Sequence, residues 1–169
     1  MPLTINSIAK DPTANSYISL ADANYHFSTK YKSADKWNAL SNDQKAQLLI
    51  EATRQMDIFV YGGQKTTQSQ ALSWPRQHLI STDGYSINSQ TIPKQIQAAQ
   101  CELADWILSE DDRLLSDVDL QQIDQFKAGP LDLKVKVNAI TMPDIVKQLI
   151  KSIGPGVLIS TDISVQPVS

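Results

Sequence analysis

The chain has a single cysteine, Cys101, in 169 residues, which excludes an intrachain disulfide framework and a zinc ribbon. Its apolar runs are only a few residues long, far short of the roughly 20 needed to cross a bilayer. Met1 to Asp11 is polar and mixed, without the charged-then-apolar order of a secretory signal. The expectation is a soluble protein made in a reducing compartment. Two histidines, His26 and His78, are too few for a metal site unless acids join them, and both read as packing or surface residues. No G-x-S-x-G elbow, H-E-x-x-H pair or G-x-G-x-x-G loop occurs. Gly62-Gly63-Gln64-Lys65-Thr66 only faintly resembles a phosphate loop, since glutamine stands where glycine should precede the lysine. Cys101 falls near the buried face of an apolar helix, where a thiol is inert filler. No enzymatic activity, metal or cofactor is expected. A basic excess is also missing. Fifteen Lys and Arg against 18 Asp and Glu give a net charge of −3, whereas proteins that grip nucleic acid through phosphates carry a basic footprint.

What is present is a globular composition, 41% hydrophobic and 20% charged. Residues 1–18, with Pro12 and Asn15, read as an extended leader. Ser19 with Asp22 resembles a capping box, and Leu20, Ala23, Phe27 and Tyr31 recur at helical spacing. Ser33 can cap a short helix holding Trp37 and Leu40. Ser41 with Gln44 fits the capping box itself and opens a helix whose stripe is Ala46, Leu49, Thr53, Met56 and Phe59 or Val60, ended by Gly62-Gly63. Residues 64–91, rich in Gln, Ser and Thr with an Asp83-Gly84 turn, are long for an idle loop and read as a functional excursion or short hairpin. Pro93 starts another helix, with Ile96, Ala99, Leu103 and Trp106 or Ile107 inward, fraying at Glu110-Asp111-Asp112. Leu131, Leu133, Val135 and Val137 alternate with polar residues as in a half-buried strand. A last helix spans Pro143 to Ile153, with Ile145, Val146, Leu149 and Ile150 inward. The fold expected is mainly α: a small helical bundle over 19–154 with a β-hairpin at 121–138, and an extended C-terminal arm over 155–169.

Three features stand out as candidate sites. Between Glu102 and Asp124 lie eight acids and one base, Arg113. Within this block Glu110, Asp111, Asp112, Asp117 and Asp119 form a solvated helix face, a docking patch, or a wall that repels DNA phosphates. A cation loop is a weaker reading, for the spacing lacks the EF-hand glycine and closing glutamate. Trp74-Pro75-Arg76, with Tyr61 and Lys65 near it in sequence order, combines residue types that dominate interfaces, unless Trp74 plugs the core. From Val157, the alternation Val157, Ile159, Thr161, Ile163, Val165 suits a strand with one face on an apolar surface. It either folds back on its own domain or pairs with a neighbouring subunit as an arm.

The order of several short motifs resembles head–tail connector (adaptor) proteins of tailed bacteriophages. These are Asn15-Ser16-Tyr17-Ile18-Ser19-Leu20-Ala21-Asp22-Ala23, Trp37, Ala52-Thr53-Arg54 within the 44–57 helix, Tyr61-Gly62-Gly63-Gln64-Lys65, Gln70 to Arg76, Ile92-Pro93, Ala98 to Leu103 and Gly129-Pro130-Leu131, together covering residues 15–150. Gln64 departs from the family pattern. The resemblance implies a non-enzymatic homo-oligomer, a dodecameric ring in the virion neck. It would sit between the portal protein and a downstream tail protein, letting DNA pass without specific binding. A ring needs a head-to-tail interface that closes, and the arm, with Val157, Ile159, Ile163 and Val165 docking, would supply it. Some relatives are labelled DnaT-like single-stranded-DNA-binding proteins. That rival function would need an exposed aromatic and basic groove, which Trp74, Arg76, Tyr61 and Lys65 could begin.

Overall fold

A computed structural model describes residues 3–116 and 142–160. Helix α1 (Leu20–Ser28) starts where the Ser19 hydroxyl accepts the Asp22 amide at 3.1 Å and donates to the Asp22 carboxylate at 2.6 Å. This satisfies one of the amides that a helix start leaves unpaired. Helix α2 (Ala34–Asn38) follows Ser33, which makes no side-chain cap bond. Helix α3 (Asn42–Asp57) opens on a complete capping box. The Gln44 amide donates to Ser41 Oγ at 3.2 Å, and the Ser41 amide donates to Gln44 Oε1 at 2.9 Å. Its stripe of Ala46, Leu49, Thr53, Met56 and then Phe59 is buried. The helix stops at Asp57, short of the glycine pair, because strand β1 (Val60–Tyr61) intervenes.

Strand β2 (Gln64–Lys65) pairs antiparallel with β3 (Arg76–Gln77). The rest of residues 64–91 is laid over the domain as a cover. Leu72, Trp74 and Leu79 enter the core, and the Thr82 amide donates to the Ile153 carbonyl at 3.1 Å. Helix α4 (Lys94–Ser116) begins after Pro93, whose carbonyl accepts the Ile96 and Gln97 amides. It does not fray at Glu110 but runs on to Ser116. Helix α5 (Asp144–Lys151) is shorter at both ends than its sequence pattern, and Ile145 is exposed while Val146 and Ile150 are buried. Strand β4 (Leu158–Ser160) pairs antiparallel with β1. The fold is mostly α-helical with two small antiparallel strand pairs, and no described helix is long and apolar enough to cross a membrane. The hairpin expected at 121–138 lies outside the described residues.

Helix α4 is the axis of the packing, set between α3 and α5 and touching α1. One buried polar side chain ties the irregular start of the chain to it. Gln100 Oε1 accepts the Tyr17 amide at 3.0 Å, while its Nε2 donates to Ser16 Oγ at 2.8 Å and to the Leu49 carbonyl at 2.9 Å. Ala14, Tyr17 and Ile18 belong to the core. The expected leader is therefore part of the domain rather than an appendage. Burial makes this favourable, because a full set of partners removes the penalty of leaving buried polar atoms unpaired.

The C-terminal segment requires a larger correction. Val157 is fully buried, the Gly62 amide donates to its carbonyl at 3.0 Å, and Leu158 and Ser160 register against Tyr61 and Val60. Residues 157–160 thus fold back on their own subunit and are not a free clasp. Of the expected docking residues, Val157 is core and Ile159 points to solvent on an exposed strand, while Ile163 and Val165 lie outside the described residues.

Candidate nucleic-acid interface

The aromatic and basic groove expected around Trp74 does not form. Trp74 is 1% exposed, and Tyr61 and Pro75 are buried with it. The Tyr61 and Trp74 rings meet edge to face, 5.6 Å apart. Arg76 is turned inward as a carbonyl clamp. Its Nε donates to Gly62 O at 2.6 Å, Nη1 to Ser73 O at 3.1 Å, and Nη2 to Gly63 O at 3.0 Å and Tyr61 O at 3.3 Å. A guanidinium that spends four of its five N–H donors on carbonyls cannot grip a phosphate bidentately. Lys65 is exposed, but its Nζ leans on the Gln70 and Ala71 carbonyls at 3.4 Å. The triplet is therefore an internal pin holding the 64–91 cover, not a presented surface.

Nearby, Asp57 Oδ1 accepts from the Tyr17 hydroxyl and from the Ser73 amide at 3.2 Å. Burial raises the Asp57 carboxyl above its ordinary range, although these hydrogen bonds pull the other way. Burial also drives the Tyr17 and Tyr61 phenols upward, and it pushes the Cys101 thiol up to about 12. Among the described residues no cluster of His, Cys, Asp and Glu could hold a metal ion. Of the acidic block, Glu110, Asp111 and Asp112 fall on the described backbone of α4, whereas Asp117 and Asp119 lie outside the described residues.

Aromatic and basic side chains are exposed elsewhere, at the end of α1 and just after it. Tyr25, on the solvent side of α1, is 75% exposed, and Tyr31, just past its end, is 98% exposed. Lys32 and Lys36 are exposed beside them in sequence. The reason lies in where α1 stops. Thr29 caps it, its amide donating to the His26 carbonyl at 3.2 Å, so the helical period that would have turned Tyr31 inward ends before reaching it. Phe27 and Trp37 instead stack on each other, rings 3.9 Å apart and 4° from parallel. The Trp37 Nε1 donates to Asn24 Oδ1 at 2.9 Å, and Lys45 Nζ sits 5.4 Å over the Trp37 ring. This staple fixes α1 against α2 and holds the 29–33 turn, and Tyr31 with it, outside the core.

Behind the turn, Lys30 Nζ contacts the Glu102 carboxylate and lies 3.2 Å from Asp105 Oδ2, while His26 Nε2 is 3.4 Å from Glu102 Oε1. The His26 contact and the Lys30 ammonium hold the Glu102 carboxyl below its usual range. The sequence signal for this surface was the alternation of aromatic and basic residues from Tyr25 to Trp37. It was hidden because Tyr31 also fitted the apolar spacing of α1.

A family model described as "Putative DnaT-like ssDNA binding protein" matches residues 1–161. The chain belongs to that family. The match overturns the head–tail connector as the function of this chain, and it agrees with the rival label. No curated protein and no solved structure matches, so the DnaT-like assignment rests on the family match, and the location of any binding surface on geometry. Of the three exposed tyrosines of this DnaT-like chain, Tyr25, Tyr31 and Tyr85, Tyr31 stands between Lys30 and Lys32 in sequence, whereas Tyr85 follows Asp83 and Gly84.

Proposed function

We propose that this protein binds single-stranded DNA on the surface made by Tyr25, Tyr31 and Lys32. The observation that carries the reading is the pair of solvent-facing tyrosines beside lysine at the end of α1. The family description supports the class of ligand. Exposed aromatic faces next to cations are what unpaired bases and their phosphates require, and stacking accepts every base. Each stacked base contributes about 1–3 kcal/mol.

The test is fluorescence anisotropy of a labelled single-stranded oligonucleotide at ~0.15 M salt. The expected result is saturable binding by the wild-type chain, and loss of most of that affinity in Tyr25→Ala/Tyr31→Ala. Both side chains are exposed, so the double variant should melt within a few degrees of wild type. Absence of binding by the wild-type chain overturns the reading.

A further inference from the structure

We infer that this surface holds the strand by base stacking with little help from phosphate contacts, and that it selects unpaired strands over duplex for that reason. The inference rests on the single-stranded-DNA reading above and concerns how that same site discriminates.

Three observations carry it. First, the lysine that precedes Tyr31 in sequence is already engaged. Lys30 faces Glu102 from one side and Asp105 at 3.2 Å from the other, so that group of three carries a net negative charge. Second, the other two lysines of the stretch, Lys32 and Lys36, are exposed but have the exposed Asp35 between them in sequence. Third, the chain as a whole is at −3, so its net charge adds no attraction for phosphates. The two tyrosines, by contrast, present nearly their whole side chains. Duplex DNA keeps its base faces stacked inside the helix, so it can offer this surface only phosphates.

Counterion release makes the distinction measurable. For single strands the slope of log K against log salt is about −0.7 per phosphate neutralised, so at most two lysines give a slope no steeper than roughly −1.4, against about −4 for a groove making six contacts. Stacking on tyrosine should also survive replacement by phenylalanine.

The experiment is a salt titration of wild-type protein with an oligothymidine and with a duplex of equal length. It is repeated with Tyr31→Ala, Tyr31→Phe and Asp105→Asn, each checked for fold by circular dichroism. Expected are a wild-type slope no steeper than about −1.5, with duplex bound at least tenfold more weakly. Tyr31→Ala should lose about tenfold and Tyr31→Phe should recover most of it. Asp105→Asn, by loosening the hold on Lys30, should bind more tightly and steepen the slope toward −2. A slope near −4, equal affinity for duplex, or failure of phenylalanine to rescue overturns the stacking mode while leaving single-strand binding in place. Failure of the wild-type protein to bind any oligonucleotide removes the function itself.

Discussion

Gln100 and Arg76 show how single polar side chains organise this fold from within. Gln100 joins the start of the chain to α3 through three hydrogen bonds, and Arg76 gathers carbonyls from two turns. Asp57 does related work, joining Tyr17 to Ser73, but at a cost that depends on pH. Its carboxyl is raised by burial, so the folded state retains a proton that the unfolded chain has already released. Folding is then favoured on the acid side of that window, and the contribution is lost as pH rises through the raised value. Asp57→Asn should keep both hydrogen bonds, which fall on the same oxygen, and remove the ionisation. The melting temperature of the variant should therefore gain on wild type as pH rises above about 4, the ordinary carboxyl value. Parallel curves would mean that the group ionises as easily folded as unfolded.

At the level of elements, the capping box of α3 and its buried stripe were legible, because both depend on spacing within a single helix. The two-residue strands were not. Val60–Tyr61 and Gln64–Lys65 have no period to read, and their pairing is set by distant partners. The alternation after Val157 misled, because Val157 is buried while Ile159, two residues on, is exposed, and the surface that receives Leu158–Ser160 is a strand almost a hundred residues away. Trp74 was ambiguous for the same reason, since an interface and a core ask for the same side chain. The tyrosine surface escaped notice because a capping residue, Thr29, cut the helix before the spacing rule could apply. Gly62 decides whether β1 can receive β4 at all. A Cβ there would lie 2.0 Å from the Gly156 carbonyl oxygen, backbone against backbone. Gly62→Ala should thus cost about 1–3 kcal/mol as the two segments are forced apart, read as a lower midpoint in urea unfolding. An unchanged midpoint would show that the approach relaxes freely.

For the molecule as a whole, residues 157–160 belong to the folded unit. Val157 is buried with Ile150 and Ile153, and burying such a side chain contributes about 1.5–3 kcal/mol before the strand hydrogen bonds are considered. Deleting Val157 to Ser169 should therefore lower the melting temperature of the single subunit by several degrees. A deletion variant that melts like the full chain would show that the β1–β4 pair contributes nothing to the domain.

That closing strand also sets a schedule for synthesis. As the polypeptide leaves the ribosome, α1 to α3 can form early, yet the Tyr17 amide waits for Gln100 and the Gly62 amide for the Val157 carbonyl. Contacts of such long range are slow to form and cannot be made by a partial product. The nascent chain must therefore carry an open apolar face until Val157 and β4 have emerged to close it.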